Sequence, residues 1–119
     1  MSTAAEIGNY GERVAAAFLR RHGYRVLTRN YKTLGGEIDL VCRHGEMLVF
    51  VEVRTRAHET FGRPAESIDV RKEDALRHAA RRYLELLDRE DITYRFDAVE
   101  VRLQAGAIPA CALIPNLFA

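Results

Sequence analysis

Two short apolar runs separated by a glycine dominate the middle of the chain. Residues 35–56 read Gly-Gly-Glu-Ile-Asp-Leu-Val-Cys-Arg-His-Gly-Glu-Met-Leu-Val-Phe-Val-Glu-Val-Arg-Thr-Arg. Runs rich in Val and Ile around a Gly-containing turn predict a β-hairpin, here with a two-residue turn at His44-Gly45. That turn sets Arg43 against Glu46, Asp39 against Phe50 and Glu37 against Glu52. Facing residues share a face, as do residues two apart along a strand. One face then carries Glu37, Asp39, Val41, Leu48, Phe50, Glu52 and Arg54. The other is wholly apolar: Ile38, Leu40, Cys42, Met47, Val49, Val51 and Val53. Acids are depleted in strands and rarely buried without a partner, so a cluster of them at one end of one face calls for an explanation.

The flanking segments have helical or extended periods. Ala4–His22 places Ile7, Gly11, Val14, Phe18 and Leu19 on one side and predicts a helix closed by Gly23. Glu12 stands on the flank of that stripe and reads as a solvated acid by periodicity alone. Gly8 and Gly11 disfavour a helix unless it packs closely on something. Tyr24–Tyr31 predicts a first strand, and 57–67, with Gly62 and Pro64, a loop beside the charged end of the hairpin. Asp69 is the expected N-cap of a second helix, Val70 to about Arg89, with Leu76, Ala79, Ala80, Tyr83, Leu84 and Leu87 as its stripe. Lys72 lies one turn before Leu76, placed either to snorkel or to reach the acids. Tyr94–Leu103 predicts a fourth strand and Ala110–Ile114 a further one between Pro109 and Pro115. The expected fold is α/β: a central mixed β-sheet flanked by helices, in the order αβββαβ with the extra C-terminal strand, as one domain over residues 1–119.

Composition narrows the setting without naming a task. The chain has 119 residues, a net charge of +1 and ordinary apolar and charged fractions of 48% and 29%. No apolar run has the length of a membrane span, and the first residues lack the core of a signal peptide, which points to the cytoplasm and away from a membrane partner. Cys42 and Cys111 read as reduced, packed thiols. Arg71, Arg77, Arg81 and Arg82 make the second helix locally basic, and Arg56 and Arg63 add charge near the hairpin end. Such residues form a solvated face or meet phosphates.

Carboxylates from adjacent strands form a hard oxygen site suited to Mg²⁺ or Mn²⁺. Asp39 and Glu52 would be diagonal neighbours about 7 Å apart at the backbone, with the Val53 carbonyl as a third oxygen. Arg54 shares their face and can reach a phosphate there, and Glu37 is a spare acid. Surface ion pairing is the alternative, and spacing alone leaves both open. His22, His44, His58 and His78 lack metal-ligand spacing, and there is no Gly-x-Ser-x-Gly, phosphate loop or dinucleotide fingerprint.

The run Gly36-Glu37-Ile38-Asp39-Leu40, a tight turn, then Val49-Phe50-Val51-Glu52-Val53-Arg54-Thr55-Arg56 resembles the Asp…Glu-x-Lys nuclease motif. More narrowly, the chain resembles the YraN-like family of small bacterial proteins. The likeness extends through Gly11-Glu12, Arg29-Asn30, Phe61-Gly62, Pro64, Glu66, Ser67, Lys72, Tyr83-Leu84, Arg95-Phe96-Asp97 and Asn116-Leu117-Phe118. It implies a restriction-endonuclease-like fold, kinship with archaeal Holliday junction resolvases, and cleavage of DNA, branched or damaged DNA among the candidates. By the same likeness Asp39 and Glu52 bind Mg²⁺, Glu12 completes the acidic cluster, and the protein acts as a homodimer. Arg54 departs from the motif's lysine. An arginine does not give up its proton and makes a poor base, so that role would fall to the metal's water or to Lys72. The expected catalytic set is therefore Asp39, Glu52, Arg54 and Lys72, with Arg54, Arg56, Arg63, Arg71 and Lys72 on nucleic acid. Two other readings stand beside it: a nucleic-acid-binding module that keeps the fold without cleavage, and an interaction protein with no metal site.

Overall fold

A computed structural model describes residues 3–57 and 70–118. Its elements are α1 (Ala4–Arg21), β1 (Arg25–Thr33), β2 (Gly36–His44), β3 (Met47–Arg56), α2 (Val70–Leu87), β4 (Tyr94–Arg102) and β5 (Ala110–Ile114). The strands form one sheet in the order β1-β2-β3-β4-β5. Only β3 and β4 pair in parallel; the other neighbours are antiparallel. Parallel neighbours need a long connection, and α2 lies in it. This is a mixed α/β arrangement compatible with the restriction-endonuclease-like fold. No helix among the described residues is long and apolar enough to cross a membrane.

The helices cover opposite faces. On one, Ala15, Ala16 and Leu19 of α1 pack with Leu40, Cys42, Val49, Val51, Val99 and Val101. On the other, Leu76, Ala79 and Ala80 of α2 pack with Ile38, Val41, Leu48, Phe50 and Phe96. α1 starts in a capping box: the Thr3 hydroxyl accepts the Glu6 N–H at 3.1 Å, and the Glu6 carboxylate accepts the Thr3 N–H at 2.8 Å. At its far end Gly23 takes φ +86°, the left-handed conformation that ends a helix. Two glycines set how closely the helices approach. A Cβ on Gly11 would collide with Thr55 of β3, and one on Gly36 would collide with the Ala75 carbonyl of α2. Gly8 faces open space, so the close packing expected of both α1 glycines holds for Gly11 alone. Leu87, expected in the α2 stripe, is 39% exposed.

The hairpin differs from expectation in register. Its turn is Gly45-Glu46, and the ladder pairs His44 with Met47, Arg43 with Leu48, Val41 with Phe50 and Leu40 with Val51. Gly45, at φ +64°, takes the first central position, where a two-residue turn needs a glycine. The slip is by two residues, so faces survive while partners change. Asp39 does not oppose Phe50, and Glu37 pairs with Lys32 of β1, not with Glu52. Ile38 also changes sides, joining the α2 face while Leu40 and Cys42 stay with α1. The change coincides with an irregularity in β1. Its ladder passes from Arg29↔Leu40 to Tyr31↔Ile38 across Asn30, whose φ is +53°. Asparagine tolerates this conformation better than other non-glycine residues. Alternation breaks there on both strands, at the level of Asp39.

Candidate functional site

Asp39 sits where the β2–β3 ladder stops. The last pair is Leu40↔Val51, and beyond it the Asp39 carboxylate Oδ2 accepts the Val53 N–H at 2.8 Å. A side chain thus fills the place that a backbone carbonyl holds in a continuing ladder. In an extended strand the N–H and C=O of one residue point to the same neighbour, so the Val53 carbonyl faces this gap too. Burial raises the Asp39 pKa to about 6, and Glu12, Glu52 and Glu37 push in the same direction against the Val53 hydrogen bond. Glu12 approaches from α1, which Gly11 brings against β3. The acid read as solvated from periodicity therefore acts on Asp39 through its field.

Glu52 is 4% exposed and projects from β3 toward α2. Two cations hold it. The Lys72 ammonium lies 2.6 Å from Oε1, and the Arg54 Nε donates to Oε2 at 3.3 Å. Lys72 thus reaches the acids as well as lying on the α2 stripe. Its side chain is 57% exposed, so the pair adds at most about 1 kcal/mol to stability. Gly36 makes the reach possible by letting the turn of α2 that follows Lys72 press onto β2.

A cleft of about 560 Å³ opens here, lined by Lys32, Thr33, Glu37, Asp39, Glu52 and Lys72, among others. The structure therefore brings together Asp39, Glu52, Val53 and Lys72, with Glu12 close enough to perturb Asp39. Arg54 stands behind Glu52, its side chain 14% exposed. Arg56 is half-buried at the end of β3, and Arg71 is exposed at the start of α2. Arg63, the loop around it and the Asp69 N-cap lie outside the described residues. Arg77, counted with the basic face, bonds Glu73 at 2.8 Å and lies over the rings of Phe96 and Phe118 at 5.6 and 4.7 Å. Those contacts fix α2 to β4 and the C-terminal segment. Asp97, wholly buried, is likewise structural: it accepts from Arg95 and from the Asn116 N–H.

Among the described residues no three His, Cys, Asp or Glu side chains gather closely enough to hold a metal. The donor set is two carboxylates and a main-chain carbonyl, all hard oxygens. Mg²⁺ and Mn²⁺ are bound through one or two carboxylates, with waters and substrate oxygens filling the rest, so the set fits such an ion. Sequence reasoning missed two residues. Asn30 shapes the strand beside Asp39, and its signal was an asparagine inside a strand pattern. Glu100 of β4 is 7% exposed and faces Arg54 across the parallel ladder. Its signal was its alternation against Val99 and Val101, which means little until β4 is placed beside β3.

Comparison with known proteins places the chain. The model of the uncharacterised protein family UPF0102 matches residues 11–101. A UPF0102 protein of Symbiobacterium thermophilum is 42% identical over 112 residues, 94% of this chain and 95% of that relative. One from Moorella thermoacetica is 50% identical over 96 residues, 81% and 80% of the two chains. One from Caldicellulosiruptor saccharolyticus is 41% identical over 114 residues, 95% and 97% of the two. The chain belongs to the UPF0102 family, the YraN-like family that its motifs resemble.

Proposed function

We propose that the protein is a divalent-cation-dependent endonuclease that hydrolyses phosphodiester bonds in DNA, branched or damaged DNA among its candidate substrates. The observation that carries this reading is the placing of Asp39. It is a mostly buried acid held by the Val53 N–H at the end of a ladder, beside buried Glu52 and in a cleft that also presents Lys72. Asp39, Glu52 and the Val53 carbonyl would hold Mg²⁺ or Mn²⁺, which when bound supplies Lewis acidity toward a phosphoryl oxygen and an attacking water. The Val53 N–H fixes the Asp39 carboxylate, so no side-chain freedom is lost when a ligand arrives. Lys72, half in solvent, can leave Glu52 and follow a phosphate. Arg71, exposed one residue before Lys72, and Arg56, half-buried two residues beyond Arg54, would add positive charge for a nucleic-acid backbone.

The test is cleavage of linear, nicked and four-way DNA in Mg²⁺ or Mn²⁺ by the wild type, Asp39→Asn and Glu52→Gln. Activity that both substitutions abolish supports the proposal; no cleavage of any substrate by the wild type sinks it. A second reading, a module that binds DNA without cutting it, draws on the occupancy of Glu52. Both its oxygens already have cationic partners, and Arg54 stands where the motif has a lysine. It requires salt-sensitive DNA binding that Asp39→Asn leaves intact.

A further inference from the structure

Arg54 and Glu100 are direct partners in the parallel ladder of β3 and β4. Their strands lie about 4.8 Å apart, and both side chains rise on the α2 face. Glu100 is 7% exposed, and its Oε2 is buried without a hydrogen-bond partner. Native proteins rarely leave a buried carboxylate oxygen in that state, and those that do have a reason in strain, chemistry or an absent ligand. On the other side of Arg54, the bond from its Nε to Glu52 is 3.3 Å long. A good charge-assisted bond is nearer 2.8 Å. Arg54 thus holds one carboxylate loosely while a second, beside it, has an oxygen to spare.

The two cations on Glu52 are not equivalent. For Glu52 to take a metal, positive charge must leave its oxygens. Lys72 has a side chain 57% exposed and can withdraw into water. Arg54, at 14%, cannot do so without being stranded as a buried charge. It needs another anion within reach, and Glu100 is that anion. Glu100 is not itself among the residues lining the cleft, so it is placed to act through Arg54 and not on a ligand directly.

We propose that Glu100 is a positioning residue that receives the Arg54 guanidinium when a divalent cation binds Glu52. Arg54 swings between two carboxylates on adjacent strands. With the cleft empty it neutralises Glu52; with a cation present it turns to Glu100 and leaves the Glu52 oxygens open. The same swing keeps the guanidinium paired with a carboxylate in both states, so no buried charge is stranded. This proposal rests on the metal-dependent reading of the site and adds to it the residue that makes arginine workable at position 54.

Calorimetric Mn²⁺ titration of the wild type, Glu100→Gln, Arg54→Ala and the double variant tests the idea, with Mg²⁺ titration of the Arg54 Nε–H resonance as a second readout. Glu100→Gln is expected to bind Mn²⁺ about tenfold more weakly than wild type, because Arg54 then stays on Glu52. In the Arg54→Ala background the same change is expected to matter less than twofold. The Arg54 Nε–H resonance, identified by its loss in Arg54→Ala, is expected to shift on Mg²⁺ saturation of the wild type. A Glu100→Gln variant that binds as the wild type does overturns the proposal. So does a tenfold loss that persists without Arg54, which would make Glu100 act on the cation itself, or an Arg54 resonance that Mg²⁺ leaves in place. A wild type that takes up no Mn²⁺ removes the metal reading, and this proposal with it. That failure is distinct, since it appears before any variant is compared.

Discussion

The Asp39 carboxylate receives the Val53 N–H at the point where β2 and β3 cease to pair. Two strands held apart by a side chain, instead of joined by their backbones, leave a gap in the sheet that both helices can approach. α1 brings Glu12 to it and α2 brings Lys72, so the site straddles a sheet that would otherwise separate them.

Asp39 makes stability depend on pH in a sense unusual for an aspartate. Burial, and then Glu12, Glu52 and Glu37, raise its pKa from 3.8 to about 6 in the folded state. The folded protein therefore holds a proton there that the unfolded chain releases. The associated stability is complete below about pH 4 and is lost as pH rises through about 6. At about 1.4 kcal/mol per unit the loss is at most about 3 kcal/mol, and solvent screening reduces it. Asp39→Asn keeps an acceptor for Val53 and removes the charge. Urea unfolding from pH 4 to 8 should show it matching the wild type at the acid end and exceeding it by about 1–2 kcal/mol at the neutral end. Identical pH profiles would place Asp39 in water.

Mn²⁺ should raise the melting temperature of the wild type and leave that of Glu52→Gln unchanged. A ligand at a hundred times its Kd adds about 2.7 kcal/mol to a folded protein. Lys72→Ala should lower stability in the absence of metal by less than about 1 kcal/mol and leave Mn²⁺ binding intact or tighter, since it frees an oxygen of Glu52. Thermal denaturation across a metal series separates these outcomes. A Lys72→Ala variant that loses Mn²⁺ would assign Lys72 a different role.

Gly8, Gly11 and Gly36 should respond differently to alanine. Gly8→Ala meets open space and should stabilise by about 0.5–1 kcal/mol through helix propensity. Gly11→Ala and Gly36→Ala meet Thr55 and the Ala75 carbonyl, and each should destabilise by about 1–3 kcal/mol. Chemical denaturation ranks all three, and a stabilising Gly36→Ala would contradict the close approach.

Asn30 offers a test of how the gap is made. At φ +53° a β-branched residue is strained, so Asn30→Val should cost about 1–2 kcal/mol, whereas Asn30→Gly should be close to neutral. If the left-handed turn places Asp39, then Asn30→Val should also flatten the pH dependence that Asp39 creates. Equal stability of the two variants would show β1 to be regular at this point.

The sequence carried the elements well, because each rests on local pattern: the periods of α1 and α2, the Gly-bounded hairpin, and β5 between two prolines. It also carried the two faces of the hairpin, since a slip of two residues preserves them. What it did not carry depends on long-range or backbone facts. Either residue beside Gly45 can complete a two-residue turn, so Asp39 and Glu37 received the wrong partners. A left-handed asparagine leaves no periodic trace, so the change of side at Ile38 was invisible. Glu100 is an ordinary acid in a strand until β4 is known to lie parallel to β3, which no local pattern states. Glu12 gained weight only through the family resemblance, and the structure supplies the physical link in its field on Asp39.

The irregular course of β1 also bears on assembly. β1 is one margin of the sheet, and its ladder slips at Leu27 and turns left-handed at Asn30. The other margin, β5, runs for five residues between two prolines. Neither border is a straight row of backbone donors and acceptors onto which a further strand could dock. Such a sheet resists extension by its own copies or by stray peptides. Contact with another chain would then fall to surfaces other than the sheet margins, leaving the strands to hold the cleft in shape.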